Sequence, residues 1–408
     1  MIDRCRRALV AAAAAYLALL PTNTLTFWRS LAFAVGATLS TILIVAAARD
    51  PSQRPPTPGR AVLLSVLAWA GWAAASLVWS VDPASSLREL KSDVLWTLVT
   101  MVIFYFAATV PDGFRVITGA LLASLAFWTI TAVGMHWSAA GWDANFAHRG
   151  VGAFSTYLAT VAPFLLLLAW RPPLGTNTGP RAVAVGALVF VLVLVTARMS
   201  DNRIVWLAFA ASVVVIALYV RPALPLPRVA AVGGALLLAF VLLFAEAARD
   251  RAAQVYAPET SVAQTLAADP RIALWKHAAA QIRERPWHGH GYGLQILADR
   301  MRADSGNALI THPHNMFVGQ WLQTGAIGLG LLLAMIGALT SRYLAFVRSG
   351  DTELGRLGTL GLAVLVAFVV KNLTDDFFFR ANGKILFAAH ALLLGAGALR
   401  LAELGRRA

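Results

Sequence analysis

The sequence predicts an all-α integral membrane protein with about twelve transmembrane helices and one long loop. Of the 408 residues, 59% are hydrophobic and only 13% are charged, whereas soluble domains carry about 25% charged residues. The mean hydropathy is +0.68. No soluble fold buries so much apolar sequence, so lipid must surround most of the chain.

Apolar runs follow one another along the chain, and a membrane span needs roughly 20 such residues. The first run resembles a signal peptide, but residues 21–24 lack the small-x-small cleavage pattern, so we expect an uncleaved first helix. We expect spans at 8–20, 25–47, 61–79, 93–110, 116–135, 152–170, 182–197, 204–220, 229–246, 315–340, 357–373 and 385–400.

The formal charge of +14 would suggest nucleic acid as the partner of a soluble protein. Here the basic residues lie mainly in short turns between apolar runs, which points to membrane topology and not to nucleic acid. With the N-terminus in the cytoplasm, the inner segments hold more Arg and Lys than the short outer ones, as the positive-inside rule requires. Cys5 is the single cysteine, which excludes disulfides and zinc–thiolate sites.

The segment 247–314 is far longer than any other connection, and this topology places it on the periplasmic side. Loops beyond about 15 residues are uncommon unless they are functional or disordered, and this one is not of low complexity. We therefore divide the chain into helices one to nine (1–246), a long periplasmic loop (247–314) and helices ten to twelve (315–408).

A helix is predicted inside this loop, ending before Pro286. Asp269 is a suitable N-cap and Pro270 suits the first helical position. The predicted helix has one apolar stripe at helical spacing, formed by Ile272, Trp275, Ala279 and Ile282. We expect this helix to lie near the outer membrane face.

Three outer residues are candidates for chemistry. Arg203 opens the eighth span, and alone it is equally consistent with an interfacial arginine. Arg271 lies in the first turn of the loop helix, where a solvated arginine is common. His314 lies where the tenth span begins, and it is also consistent with a helix-capping residue.

Together the three suggest transfer from a pyrophosphate. Two arginines grip a pyrophosphate through charge-assisted bidentate bonds and stabilise the charge that develops as a sugar leaves it. A helix start favours neutral imidazole, which accepts a proton from an attacking hydroxyl near pH 7. This chemistry needs no metal or cofactor, because guanidinium replaces the cation.

A metal site is an alternative that the histidines leave open. His288 and His290, with His312 and His314, have donor types suited to zinc or copper, although their spacing is not a specific signature. The nearby glycines at 289, 291 and 293 do not form a dinucleotide fingerprint, because no strand precedes them.

Several motifs resemble those of the O-antigen ligase family. In the loop, Arg271-x-x-Leu274-Trp275 and Pro286-x-x-Gly289-x-Gly291 match its periplasmic loop, and His314-Asn315 with Leu322, Gly325 and Gly328 matches its His-Asn stretch. Ser76-x-x-Trp79-Ser80 also fits. Arg203 stands where the family has Ser-Arg-Gly, but Asp201-Asn202 departs from that pattern, which leaves Arg198 as a weaker competitor. The resemblance covers roughly 61–380.

The resemblance implies a C-type membrane glycosyltransferase that is metal-independent and inverting. Such ligases move a polysaccharide from undecaprenyl pyrophosphate to lipid A–core. By this resemblance, Arg203 and Arg271 bind the donor pyrophosphate, and His314 is the base, with His312 as substitute or substrate-binding residue. Asp375 or Asp376 orients the histidine or binds acceptor. The sequence leaves O-antigen polymerase, protein O-oligosaccharyltransferase and a lipid-linked sugar transporter as alternatives.

Overall fold

The computed structural model describes residues 2–136, 138, 150–165, 180–220, 226–255, 270–305 and 311–407, and the regular elements among them are helical. In chain order they are α1 Ile2–Leu19, α2 Thr26–Arg49, α3 Arg60–Ala75, α4 Pro83–Glu89, α5 Trp96–Ala108, α6 Gly113–His136, α7 Val151–Val161, α8 Pro180–Met199, α9 Ile204–Val220, α10 Leu226–Val255, α11 Pro270–Glu284, α12 Ala298–Ser305, α13 Met316–Arg348, α14 Thr352–Lys371 and α15 Arg380–Arg407.

Seven helices in the described part of the chain are long and apolar enough to cross a membrane. They are Thr26–Arg49, Arg60–Trp79, Pro83–Ala108, Gly113–His136, Met316–Arg348, Thr352–Lys371 and Arg380–Arg406. Four shorter apolar helices lie within Val151–Leu165, Ala184–Met199, Ile204–Tyr219 and Gly233–Glu246. The protein is therefore an all-α, multi-pass membrane protein, and the count of twelve spans stays a prediction.

Two helices extend beyond the predicted apolar runs. The fourth span was expected to begin at residue 93, but the helix starts at Pro83, because Asp82 caps it through Ser85 and proline suits a first helical position. One π-helical stretch, Leu90–Leu95, joins α4 to α5. Likewise α10 continues to Val255 instead of ending at residue 246. Helix length is set here by caps and hydrogen bonds, which an apolar pattern does not report.

The core forms where α15 packs on α5 and α14, and where α13 packs between α3 and α14. Large aromatic side chains fill it, among them Trp69, Phe104 and Phe368, all almost fully buried. The start of α13 and the end of α14 lie together, since the Met316 amide donates to the Asn372 carbonyl at 3.0 Å. We call this the loop end of the bundle.

The other extremity, the opposite end, holds the turn between α13 and α14 and the C-terminal part of α15. Arg400 there pairs with Asp351 at 2.8 Å, with Glu353 at 3.3 Å and with Glu403 at 3.4 Å. Asp351 also caps α14 by accepting from the amides of Glu353 and Leu354. The positive charge of Arg400 is therefore paired with nearby carboxylates at this end of the bundle.

Candidate functional site

Helix α13 is interrupted at Gly325, which has φ +72° and ψ −176°. Residues 286–293, the docked segment, supply the hydrogen bonds that the helix loses there. Ala326 donates to Pro286, and the amides of His290 and Gly291 donate to the Leu322 and Gln323 carbonyls. The hydrogen bonds that α13 loses at Gly325 are therefore replaced by bonds to the docked segment that precedes this helix in the chain.

Glycine is required at this junction for two reasons. Gly325 and Gly289 both have positive φ, which only glycine adopts without strain. A Cβ at Gly325 would lie 2.2 Å from the Trp287 backbone, and one at Gly289 would lie 2.4 Å from the Gln323 carbonyl oxygen. The glycines of the Pro-x-x-Gly-x-Gly motif thus serve close backbone contact.

The docked segment is also held by the end of α3. The Trp79 indole donates to the His288 carbonyl at 2.8 Å, and the Tyr292 amide donates to the Ser76 hydroxyl at 2.9 Å. Trp72 donates to the Thr324 carbonyl beside the break, at 2.8 Å. The Ser-x-x-Trp-Ser motif therefore binds the loop to the bundle.

His314 lies at the start of α13 with φ +49°, a left-handed conformation that is uncommon for a residue other than glycine. The next residue, Asn315, caps the helix by accepting from the Phe317 and Val318 amides. The Asn315 amide group donates to the Leu373 carbonyl at 2.7 Å. The cap thus holds the backbone next to His314 against the chain that follows α14. A positive φ such as that of His314 is a form of backbone strain that is often found at functional sites.

His312 and His314 lie ring against ring, with centroids 4.0 Å apart. Burial, followed by the charge of His314, lowers the pKa of His312 to about 3. The Asp375 carboxylate acts on the same ring in the opposite direction. His312 is therefore neutral at pH 7 and holds a proton poorly there.

The predicted loop helix is confirmed as α11, Pro270–Glu284. Its predicted stripe is only partly right. Trp275 and Ile282 pack as expected, but among the side chains described in this helix, which exclude Ile272, Leu274 and Ala278 are the most buried. The buried face is rotated because a second, unpredicted helix, α12, packs on it.

Helix α11 lies against the histidine segment, since the Trp275 indole donates to the Pro313 carbonyl at 2.9 Å. Arg271 is one helical turn before Trp275, in the first turn of α11. Its side chain is outside the described residues, and so is the predicted cap Asp269. The structure thus brings the Arg271-bearing turn to the histidine segment.

Arg203 lies in the junction between α8 and α9. Its neighbour Asn202 donates to the Asp375 carboxylate at 3.1 Å. The competitor Arg198 pairs with Asp201 at 3.0 Å and with Glu246 at 3.8 Å. Asp201 has positive φ, like His314. The junction is thus bound to the acidic residue that acts on His312, and Arg198 points to other carboxylates.

Asp376 faces a different environment from Asp375. It is buried, and its Oδ2 atom has no hydrogen-bond partner among the described residues. It lines a cavity of about 20 Å³ with Asp93, Tyr292 and Gln323, a volume that suits one water molecule. Burial raises the pKa of Asp376 to about 7.

The two pairs of histidines have separate surroundings. His290 is buried and donates from Nε2 to the Gln281 carbonyl at 2.9 Å, whereas His288 packs edge-on against Trp79. Within the described ranges, no group of three or more His, Cys, Asp or Glu residues is placed to hold a metal ion.

The sequence pointed to Arg203, Arg271, His312 and His314, and the segments that carry them meet at the loop end. It missed the bond from Asn202 to Asp375 and the ion pair of Asp375 with Lys371. A lysine four residues before an aspartate at the end of an apolar run was the available signal, since such residues face each other on a helix.

Two comparisons with known proteins bear on the family. Residues 188–333 match the model of the family described as O-antigen ligase. The chain is also 29% identical over 307 residues to a curated "O-antigen ligase" of Pseudomonas aeruginosa, a match that covers 70% of this chain and 66% of that protein. Both agree with the motifs in the sequence, and the chain is similar to the O-antigen ligase family over these residues.

Proposed function

We propose that the protein is an O-antigen ligase of the bacterial inner membrane. It transfers a polysaccharide from undecaprenyl pyrophosphate to a sugar of lipid A–core on the periplasmic face. The observation that carries this proposal is the meeting of three chain segments at the loop end, namely the Arg203 junction, the Arg271 turn and the His314 cap. The similarity to the O-antigen ligase family supports the same chemistry.

The donor has a lipid of about 55 carbons, which must lie in the bilayer while its pyrophosphate lies at headgroup level. Helix ends such as those that carry Arg203 and Arg271 are at that level. Their guanidinium groups bind the pyrophosphate by bidentate bonds, and they stabilise the charge that it gains on leaving.

The acceptor hydroxyl attacks the anomeric carbon from the side opposite the pyrophosphate. The C–O bond to pyrophosphate breaks, undecaprenyl pyrophosphate leaves with the bonding electrons, and the configuration inverts. His314 takes the hydroxyl proton. The low pKa of His312 favours His314 as base, because a group with pKa of about 3 is a weak proton acceptor. His312 then contacts substrate as a neutral hydrogen-bonding group.

The different surroundings of Asp375 and Asp376 support different roles for the two adjacent acids. Asp375 is close enough to act electrostatically on His312, and we assign it the orienting role. Asp376 is buried and lines a small cavity with Gln323 and Tyr292. We therefore assign it to the support of the α13 start, and prefer this to the direct substrate binding expected from the sequence.

The polymerase and protein transferase alternatives share the donor with the ligase and differ in the acceptor, so the product decides between them. We would compare lipopolysaccharide gels of a deletion strain with those of a complemented strain. Loss of capped core, with long lipid-linked polymer retained, supports the ligase. Core bearing a single repeat unit indicates a polymerase, and normal lipopolysaccharide with unglycosylated pilin indicates a protein transferase.

The metal-independent mechanism is tested with purified enzyme. We expect EDTA to leave transfer unchanged, because guanidinium supplies the positive charge at the pyrophosphate. Loss of transfer on EDTA treatment, with recovery on adding zinc or magnesium, would reject this mechanism.

A further inference from the structure

A buried ion pair lies directly behind the histidine segment. Lys371, the last residue of α14, has a fully buried side chain and pairs with the Asp375 carboxylate four residues later. Its ammonium also lies 5.5 Å from the centre of the Phe377 ring. Burying a charged lysine costs several kcal/mol unless it is paired, so this position needs a reason.

The Asp375 carboxylate joins parts of the site that are distant in sequence. The same Oδ2 atom that pairs with Lys371 accepts the hydrogen bond from Asn202, which precedes Arg203. The carboxylate also acts on His312. Asn202 and His312 come from two segments that are distant in sequence, and both interact with the Asp375 carboxylate of a third segment.

We propose that Lys371 is a positioning residue, whose buried ammonium holds the Asp375 carboxylate between the Arg203 junction and the histidine pair. The ammonium balances the charge of this largely buried carboxylate. The carboxylate then accepts from Asn202 and faces His312 at the same time. Lys371 itself touches no substrate and acts through Asp375.

Other charged groups lie around this carboxylate and bear on its ionisation. Asp376 is next to it and is coupled to it by charge. His312, before the start of α13, is acted on by this carboxylate and also by His314 and by Arg380 at the start of α15. Lys371 forms an ion pair with this carboxylate, so we expect removal of Lys371 to change its electrostatic surroundings strongly.

The test compares Lys371→Met, Asp375→Asn and the double variant Lys371→Met/Asp375→Asn. Removal of one partner leaves a buried charge unmatched, whereas removal of both leaves a neutral pair of similar size. We expect Lys371→Met to lower thermal stability in detergent and the double variant to regain it. Arg400→Met, which breaks an ion pair at the opposite end, is the control.

The first readout is independent of activity. In Lys371→Met, hydrogen–deuterium exchange should rise at both 200–206 and 311–316, and in the control it should rise at neither. Unchanged exchange at these two segments would overturn the proposal, even if the chain transferred no glycan.

The second readout rests on the proposed function, because it measures glycan transfer per folded molecule. We expect at least a tenfold loss of transfer in Lys371→Met, with the acidic limb of the pH profile moved up by about one unit, since an unpaired buried carboxylate favours its protonated form.

The double variant should regain stability but not transfer. If transfer returns with stability, the pair is only structural and the proposal is wrong. If the wild-type protein transfers no glycan, the proposed function fails while exchange still decides the role of Lys371.

Discussion

The two ends of the bundle use charge in different ways. At the opposite end, Arg400 pairs with Asp351, Glu353 and Glu403, and Asp351 completes a helix cap. At the loop end, buried ionisable groups converge from separate segments. Asp376 keeps one oxygen without a hydrogen bond in the described part of the structure.

The backbone shows the same contrast. Four residues other than glycine have positive φ among those described, and three of them lie at or next to the loop-end site, namely Asp201, His314 and Arg380. Strained backbone persists where surrounding contacts impose it, and it concentrates at functional sites. The difference indicates that the opposite end is built for stability, whereas the loop end keeps an arrangement that stability alone does not require.

The largest effect is expected from replacement of the two arginines that are proposed to bind the donor. Arg203→Ala or Arg271→Ala should lower transfer by at least ~10²-fold, because each removes a cation that stabilises the leaving pyrophosphate. Arg198→Ala and Arg283→Ala are matched controls on the neighbouring α8 and on α11, and they should stay within a few-fold of wild type. Full transfer with both Arg203 and Arg271 replaced would end the donor-site model.

Replacement of His314 should lower turnover by about 10²–10⁴-fold, the range for a general base. Asparagine is the suitable replacement, because it tolerates the positive φ of this position. Donor binding, measured with radiolabelled undecaprenyl pyrophosphate, should stay near wild type. His312→Asn should have the smaller effect on turnover, and the reverse order would assign the base to His312.

The docking of the loop is tested by Gly325→Ala. The new Cβ would lie within 2.2 Å of the Trp287 backbone, so the docked segment must leave α13, and we expect rapid proteolysis of the loop. Gly350→Ala is the control, since Gly350 also has positive φ but nothing lies within 4 Å of its Cβ position. It should cost about 1 kcal/mol. Equal stability of the two variants would contradict the docking argument.

Asp376 predicts a particular pH dependence of stability. Its pKa of about 7 in the folded protein lies above the ordinary value of 3.8, so its stabilising contribution is complete below the unfolded pKa and is lost as pH rises through 7. The slope is at most ~1.4 kcal/mol per pH unit. In Asp376→Asn the free energy of unfolding, measured by thermal unfolding, should therefore vary less with pH between pH 4 and 8 than in the wild type. If the pH dependence of the free energy of unfolding is the same in this variant as in the wild type, another group causes that dependence.

The smallest effect is expected at the opposite end. Asp351→Ala removes a helix cap and an ion pair, and should cost about 1 kcal/mol of stability without changing transfer per folded molecule. The hydrogen bond from Arg400 lowers the pKa of Asp351, so this contribution is present above its ordinary value near 4 and is lost in more acidic solution. A loss of turnover in this variant would weaken the contrast between the two ends.

The sequence predicts what local pattern controls. Apolar runs indicate the helices, and Pro270 with Pro286 bounds α11, because these signals lie within one turn of the element they mark. The break at Gly325 was not predictable, since it depends on backbone contacts with residues 286–291 and on Trp72, more than 200 positions away. The choice between Asp375 and Asp376 also needed coordinates, because two adjacent side chains point to different surroundings.

The break in α13 has a consequence for how the protein enters the membrane. Backbone groups without partners are costly in lipid, and the amides of Ala326 and Ile327 bond to Pro286 and Trp287. During synthesis the docked segment leaves the ribosome before α13 does, and in the proposed topology it waits for that helix on the far side of the bilayer. The backbone bonds at the break then form only when the loop closes on α13, so the proposed topology links translocation of the loop to completion of the helix.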